Sequence, residues 1–167
     1  EAVWSFTPAG YLRCEGEPKG FLATREAYTN FRLVVEWRWP EEPSNSGVLM
    51  RIRSGEPIPT CLEAQLKSGS AGNLMGLRGA VLQGEDLRVR DHPTIERLHI
   101  VPKQAGEEKP LGEWNRYEIT VTGDKVRIRL NGELANEATG AETVAGPIGF
   151  QSEGGPVEFR TIELTVL

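Results

Sequence analysis

The chain has 167 residues, 38% hydrophobic, 26% charged and 7% aromatic, an average composition with enough length to bury about 70% of the unfolded surface. A formal net charge of −5 argues against non-specific binding to a phosphate backbone, so nucleic acid is not an expected partner. No apolar run approaches the about 18 residues that a membrane-spanning helix needs, so no membrane span is expected.

Strand signals dominate along the chain. Short candidates occupy 11–14 and 20–24. "NFRLVVEWRW" (30–39) places Phe31, Leu33, Val35, Trp37 and Trp39 on one face, with Arg32, Glu36 and Arg38 on the other. "NSGVLMRIR" (45–53) has Val48, Met50 and Ile52 at every second position, and Asn45, Gly47, Leu49, Arg51 and Arg53 in the opposite phase. In "CLEAQLK" (61–67), Leu62, Ala64 and Leu66 form the apolar set, while Glu63, Gln65 and Lys67 point the other way.

The stretch 67–111 is rich in glycine and charge and reads as irregular, with "PTIERLHIV" (93–101) suggesting a turn or two of helix. "NRYEITVTGDKVRIRLNGE" (115–133) is a hairpin turning at Gly123-Asp124, followed by an Asn131-Gly132 signal for a type I′ turn into another strand. "TGAETVAG" (139–146) suggests one more helical turn. The final segment, 146–167, holds two strands around Gly154-Gly155-Pro156. In it Phe150, Val157 and Phe159 face inward, and Gln151, Glu153, Glu158 and Arg160 outward. Many short strands with frequent turns predict an all-β fold, a two-sheet antiparallel sandwich or jelly roll with minimal helix, as a single domain over 1–167.

Strand parity therefore yields four outward polar sets: Asn45/Arg51, Glu63/Gln65, Gln151/Glu153 and Glu158/Arg160. If their strands share one sheet, they form a concave surface of carboxylates, amides and guanidinium groups, which hydrogen-bond sugar hydroxyls. A half-exposed antiparallel sheet also has a polar face with no function attached.

Other signals are weaker. Cys14 and Cys61 allow one disulfide in an oxidising compartment, yet each sits in an apolar run where a buried free thiol is common. His92 and His99 flank the irregular region and could reach a cleft as acid or base, though a surface or packing role is commoner. Trp4, Trp37, Trp39 and Trp114 read as core or sheet edge, with no mark of a sugar-stacking platform. No cofactor is identified. Glu85, Asp86 and Asp91 could bind a loop calcium ion, although scattered loop acids are usually solvated.

The order of "GFLATREAYTNFRLVVEWRW", "NSGVLMRIR", "LEAQL", "GEWNRYEITVTGDKVRIRLNGE" and "GPIGFQSEGGPVEFRTIEL" resembles the 3-keto-disaccharide hydrolase domain family. That family has a concanavalin A-like, laminin-G-like jelly roll, and the resemblance covers nearly the whole chain. After the glutamine of the last segment the family typically carries a histidine and then a glycine. Here the sequence is "QSEGG", so Glu153 stands where a histidine is expected.

The resemblance implies action on a glycoside already oxidised at carbon 3 of its sugar. The ketone acidifies the hydrogen on carbon 2, a base removes it, the enolate expels the aglycone from carbon 1, and water adds to the product. Such a site needs a base and a donor at the developing oxyanion. Glu63 is the expected base, with Glu153 second, and Arg51 the expected enolate stabiliser. Asn45, Gln65, Gln151 and Arg160 would bind substrate. Arg51 and Glu63 are expected side by side on one face, either as catalytic partners or as a structural salt bridge.

The alternatives are a non-catalytic carbohydrate-binding module, with a carbohydrate as ligand in place of substrate, and an interaction domain using a sheet edge. The resemblance and a start at Glu1 without methionine lead to the expectation of a bacterial periplasmic, secreted or cell-surface protein whose signal segment has been removed.

Overall fold

Alternating apolar residues form strands when one face can be buried, and the computed structural model, which describes residues 2–167, converts almost every such segment into one. The back sheet has the order β1 (Trp4–Phe6), β2 (Leu12–Cys14), β14 (Val157–Val166), β4 (Phe31–Arg38), β10 (Asn115–Thr122), β11 (Lys125–Leu130), β12 (Glu133–Ala138). The front sheet has the order β3 (Gly20–Ala23), β13 (Gly149–Ser152), β5 (Gly47–Met50), β6 (Cys61–Gln65), β7 (Leu74–Leu77), β9 (Glu96–Val101), β8 (Arg88–His92). Neighbouring strands are antiparallel throughout, and no helix occurs among the described residues. The result is a two-sheet jelly roll. The last two strands are internal: β13 lies between β3 and β5, and β14 between β2 and β4.

The main core lies between the sheets. Phe31, Leu33, Val35 and Trp37 of β4 meet Val48 and Met50 of β5, Leu62 and Ala64 of β6 and Phe150 of β13 in one buried cluster. Full burial of each such side chain is worth about 1.5–3 kcal/mol. Tyr117 on β10 crosses this core, and its hydroxyl donates to the Gln65 carbonyl and accepts from the Gly72 N–H. The back sheet thereby fixes the end of β6. A second cluster, with Leu49, Ile52, Cys61, Leu77, Ile95 and Leu98, covers part of the outer face of the front sheet.

The expected Asn131-Gly132 turn forms, with φ of 50° and 87° at its two residues. Three expectations are corrected. Region 67–111 is not irregular throughout, because β7, β8 and β9 lie within it. Residues 93–101 form a turn and then β9, and 139–146 contain no helical turn. The reading of both cysteines as buried free thiols holds: Cys14 belongs to the core between the sheets and Cys61 to the outer cluster, and they do not pair.

Candidate active site

The order β13-β5-β6 brings three of the four polar sets into one sheet. Glu63 and Gln65 share the outer face with Cys61, because Leu62 and Ala64 between them point into the core. Gly47 pairs with Gln65, and Leu49 with Glu63. On the other side of β5, Gly149 pairs with Leu49 and Phe150 with Val48, so one further step puts Gln151 beside Gly47. There the Ser46 hydroxyl donates to the Gln151 carbonyl at 2.7 Å.

Glu63 lies over Gly47. A Cβ at position 47 would stand 2.1 Å from Glu63 Oε1, so only glycine leaves room for this carboxyl. Glu63 is 3% exposed, and its Oε1 finds no hydrogen-bond partner among the described residues. Asn45 Oδ1 and Gln151 Oε1 are likewise buried and unpartnered. Buried polar atoms are paired in roughly 90% of cases, so these three unpartnered oxygens, on neighbouring segments of one sheet, are the candidate contacts for a ligand. Burial, and then the negative charge of Glu153, push the Glu63 carboxyl up to about 8.

Gln65 is held differently. Its Oε1 accepts from the Leu66 and Lys67 backbone N–H groups, both at 3.1 Å, which fixes which end of the amide carries the nitrogen. Nε2 then lies 3.4 Å from Met75 Sδ, a weak acceptor, and keeps donor capacity for a ligand. Glu153 stands at the margin, with its side chain 24% exposed and its Oε1 3.4 Å from Lys19 Nζ.

Two expected site residues are elsewhere. Arg51 has a φ of 51°, and this left-handed residue resets the alternation, so that Leu49 and Ile52, three apart, share the outer cluster. Its guanidinium turns to the edge of the sandwich and donates to the carbonyls of Thr29, Glu142 and Gly123. It is neither the enolate stabiliser beside Glu63 nor a salt-bridge partner for it. Arg160 belongs to β14 in the back sheet, where it pairs with Glu36 at 2.7 Å and lies over the Trp114 ring, so it cannot bind a substrate at Glu63. Glu158 of the same set pairs with Arg38 and Arg13.

Neither histidine is at the site. His99 is buried with Nδ1 3.1 Å from the Leu82 carbonyl, and His92 contacts Thr94 on the edge strand β8. None of the tryptophans stands on the front sheet. Among the described residues no group of three or more His, Cys, Asp or Glu is arranged to hold a metal ion.

The family model for the 3-keto-alpha-glucoside-1,2-lyase-like domain matches residues 3–165. The chain belongs to that family. No curated protein matches it. Among solved structures, two candidate glycosyl hydrolases from Parabacteroides distasonis superpose with a TM-score of 0.71 each, at 19% and 21% identity. These alignments cover 99% of this chain and 84% and 90% of the other two. The carbohydrate-binding module CBM66 from Bacillus subtilis superposes with a TM-score of 0.67 at 10% identity, covering 98% of this chain and 91% of that one. At these identities the structures establish a shared fold.

Within this lyase-like domain, Glu153 acts on Glu63 through charge. Glu153→Gln removes a like charge and should lower the Glu63 pKa. A carboxyl titration followed by carbon-13 NMR on both proteins checks this; an unmoved Glu63 would separate the two carboxylates electrostatically.

Proposed function

We propose that this domain cleaves 3-keto-glycosides by elimination across carbons 1 and 2, followed by addition of water. The observation that carries the reading is Glu63: a buried carboxyl with an unpartnered oxygen, on the sheet that also carries the unpartnered Gln151 oxygen. The family description, which pairs a 3-keto-glucoside with a 1,2-lyase, supports the same chemistry.

The ionised Glu63 takes the proton from carbon 2, and the electron pair moves into the ring carbon–carbon bond and onto the carbon-3 oxygen. When the ketone re-forms, a double bond forms between carbons 1 and 2 and the bond from carbon 1 to the aglycone oxygen breaks. Glu63, now protonated, returns its proton to the leaving oxygen. Water then adds across the double bond. A group titrating at about 8 suits both halves of this exchange near neutral pH. Asn45 Oδ1 and Gln151 Oε1 accept from sugar hydroxyls. The donor for the enolate oxygen is Gln65 Nε2, whose direction is set before substrate arrives.

Incubation with 4-nitrophenyl 3-keto-α-glucoside is the test. Nitrophenol should be released, with kcat/KM rising about tenfold per pH unit below 8 and levelling above it. Deuterium from the solvent should appear at carbon 2. Binding without turnover would favour the non-catalytic module. For Gln65→Leu the expected loss is about 100- to 1,000-fold in kcat with a smaller change in KM. An unchanged kcat would remove Gln65 from the oxyanion role.

A further inference from the structure

The outer face of the back sheet carries a charge pattern opposite in sign to the chain as a whole. Cross-strand partners stand side by side on one face. Thr120 on β10 lies between Arg32 on β4 and Arg127 on β11, and Glu118 lies across from Arg129. Glu118 Oε1 is 2.7 Å from Arg32 and 3.7 Å from Arg116, so one carboxylate oxygen serves two guanidinium groups. Arg129 reaches only the Gly132 carbonyl, at 3.4 Å. Among the described residues, Lys109, Lys125 and Arg129 form no ion pair with a carboxylate.

Three depressions run end to end along β10. The first is lined by Lys109, Trp114, Arg116 and Arg160, the second by Arg32, Glu118, Arg127 and Arg129, and the third by Thr122, Lys125, Arg127 and Thr139. The second and third share Thr120 and Arg127, and Arg116 of the first approaches Glu118 of the second. At about 3.3 Å per strand residue, the trough from Trp114 to Thr122 is about 26 Å long. It holds seven cations against four carboxylates, Glu36, Glu113, Glu118 and Glu137. That is an excess of positive charge on a chain whose formal net charge is −5.

We propose that this trough binds an extended acidic polysaccharide, one bearing uronate or sulfate groups. Its three unpaired cations and the guanidinium groups that share Glu118 provide charge-assisted donors for such groups. The hydroxyls of Thr120, Thr122 and Thr139 lie between the cations, as sugar hydroxyls lie between the charges of the polymer. A single nucleic-acid strand needs open rings for its bases, but Trp114 is already covered by Arg38 and Arg160, each 4.6 Å from its ring centre. A lipid surface needs an exposed aliphatic side chain, and the trough has none: its Val126 and Ala138 are buried. The back sheet faces away from Glu63, so bound polymer tethers the domain and leaves the active site free.

Native affinity electrophoresis tests this, with polygalacturonate, dextran sulfate or uncharged dextran cast in the gel. Polygalacturonate or dextran sulfate should retard the protein, according to which anionic group is preferred, and dextran should not. Added salt should weaken the retardation. Lys125→Glu combined with Arg129→Glu breaks no ion pair and should weaken binding at least about tenfold. Arg88→Glu combined with Arg90→Glu makes the same change of charge on the exposed strand β8 of the front sheet, and should leave binding within about twofold. Circular dichroism checks that each variant keeps its fold. If the charge reversal unfolds the protein, Lys125→Gln combined with Arg129→Gln should still weaken binding at least about threefold. Retardation by neither acidic polymer overturns the proposal. So does an equal loss in the β8 variant, which would reduce the effect to net charge. Displacement of the polysaccharide by oligothymidine at lower concentration than by free polygalacturonate or dextran sulfate would also overturn it, by assigning the trough to nucleic acid.

Discussion

Replacing Arg51 with alanine should lower the unfolding free energy by about 3–5 kcal/mol, a large share of the about 5–15 kcal/mol that holds a domain of this kind together. The side chain is 1% exposed and its guanidinium satisfies carbonyls from three separate segments, at Thr29, Gly123 and Glu142. Removing it strands those acceptors and leaves a void. Arg51→Lys should recover only part of the loss, since a single ammonium cannot serve three acceptors arranged around a planar fork. Urea unfolding measures both. A loss below about 1 kcal/mol for Arg51→Ala would mean that the network contributes little. The folded fraction of either variant should keep its kcat, because the guanidinium does not reach Glu63.

Glu63→Gln should have the opposite profile: a fold retained, and catalysis lost by at least about 100- to 10,000-fold. It should also change how stability depends on pH. The carboxyl is raised from 4.5 to about 8 by burial and by Glu153, so the folded protein favours its neutral form. The native state therefore holds a proton that the unfolded chain releases at lower pH. The resulting stabilisation is fully present below about 4.5 and is lost as pH rises through 8, a difference on the order of 4–5 kcal/mol. Urea unfolding at pH 5 and pH 9 should show a steep fall for the native sequence and a much flatter one for Glu63→Gln. Parallel slopes would show that Glu63 ionises as an ordinary surface acid.

The sequence displays strand faces well and strand neighbours poorly. Period-2 alternation identified the buried set Phe31, Leu33, Val35, Trp37 and Trp39, because one face of β4 meets the core along its whole length. The same logic put Glu63, Gln65 and Gln151 opposite the apolar positions of their strands, which the fold makes the outer face of the front sheet. It failed at Arg51, since a non-glycine residue with positive φ leaves no mark in the sequence and shifts the parity of everything after it. It failed at Arg160, since alternation reveals a face but not which sheet the strand joins. Residues 93–101 read as helical because His99 and Val101 are buried on the inner side and Leu98 on the outer, so β9 lacks clean alternation. The donor role of Gln65 depends on two backbone contacts that no residue pattern displays.

The placement of β13 and β14 inside the two sheets governs how the sheets assemble. Until β13 and β14 are in place, β4 has no partner on one side and β5 none on one side, so neither sheet is continuous. Glu63 already has its neighbours on β5 and β7 by then, but Gln151, across β5, arrives only with β13. Folding thus waits on the long-range pairing that makes β sandwiches slow to form. Chains in which these two strands have yet to pair expose two unsatisfied strand edges to chaperones and to one another.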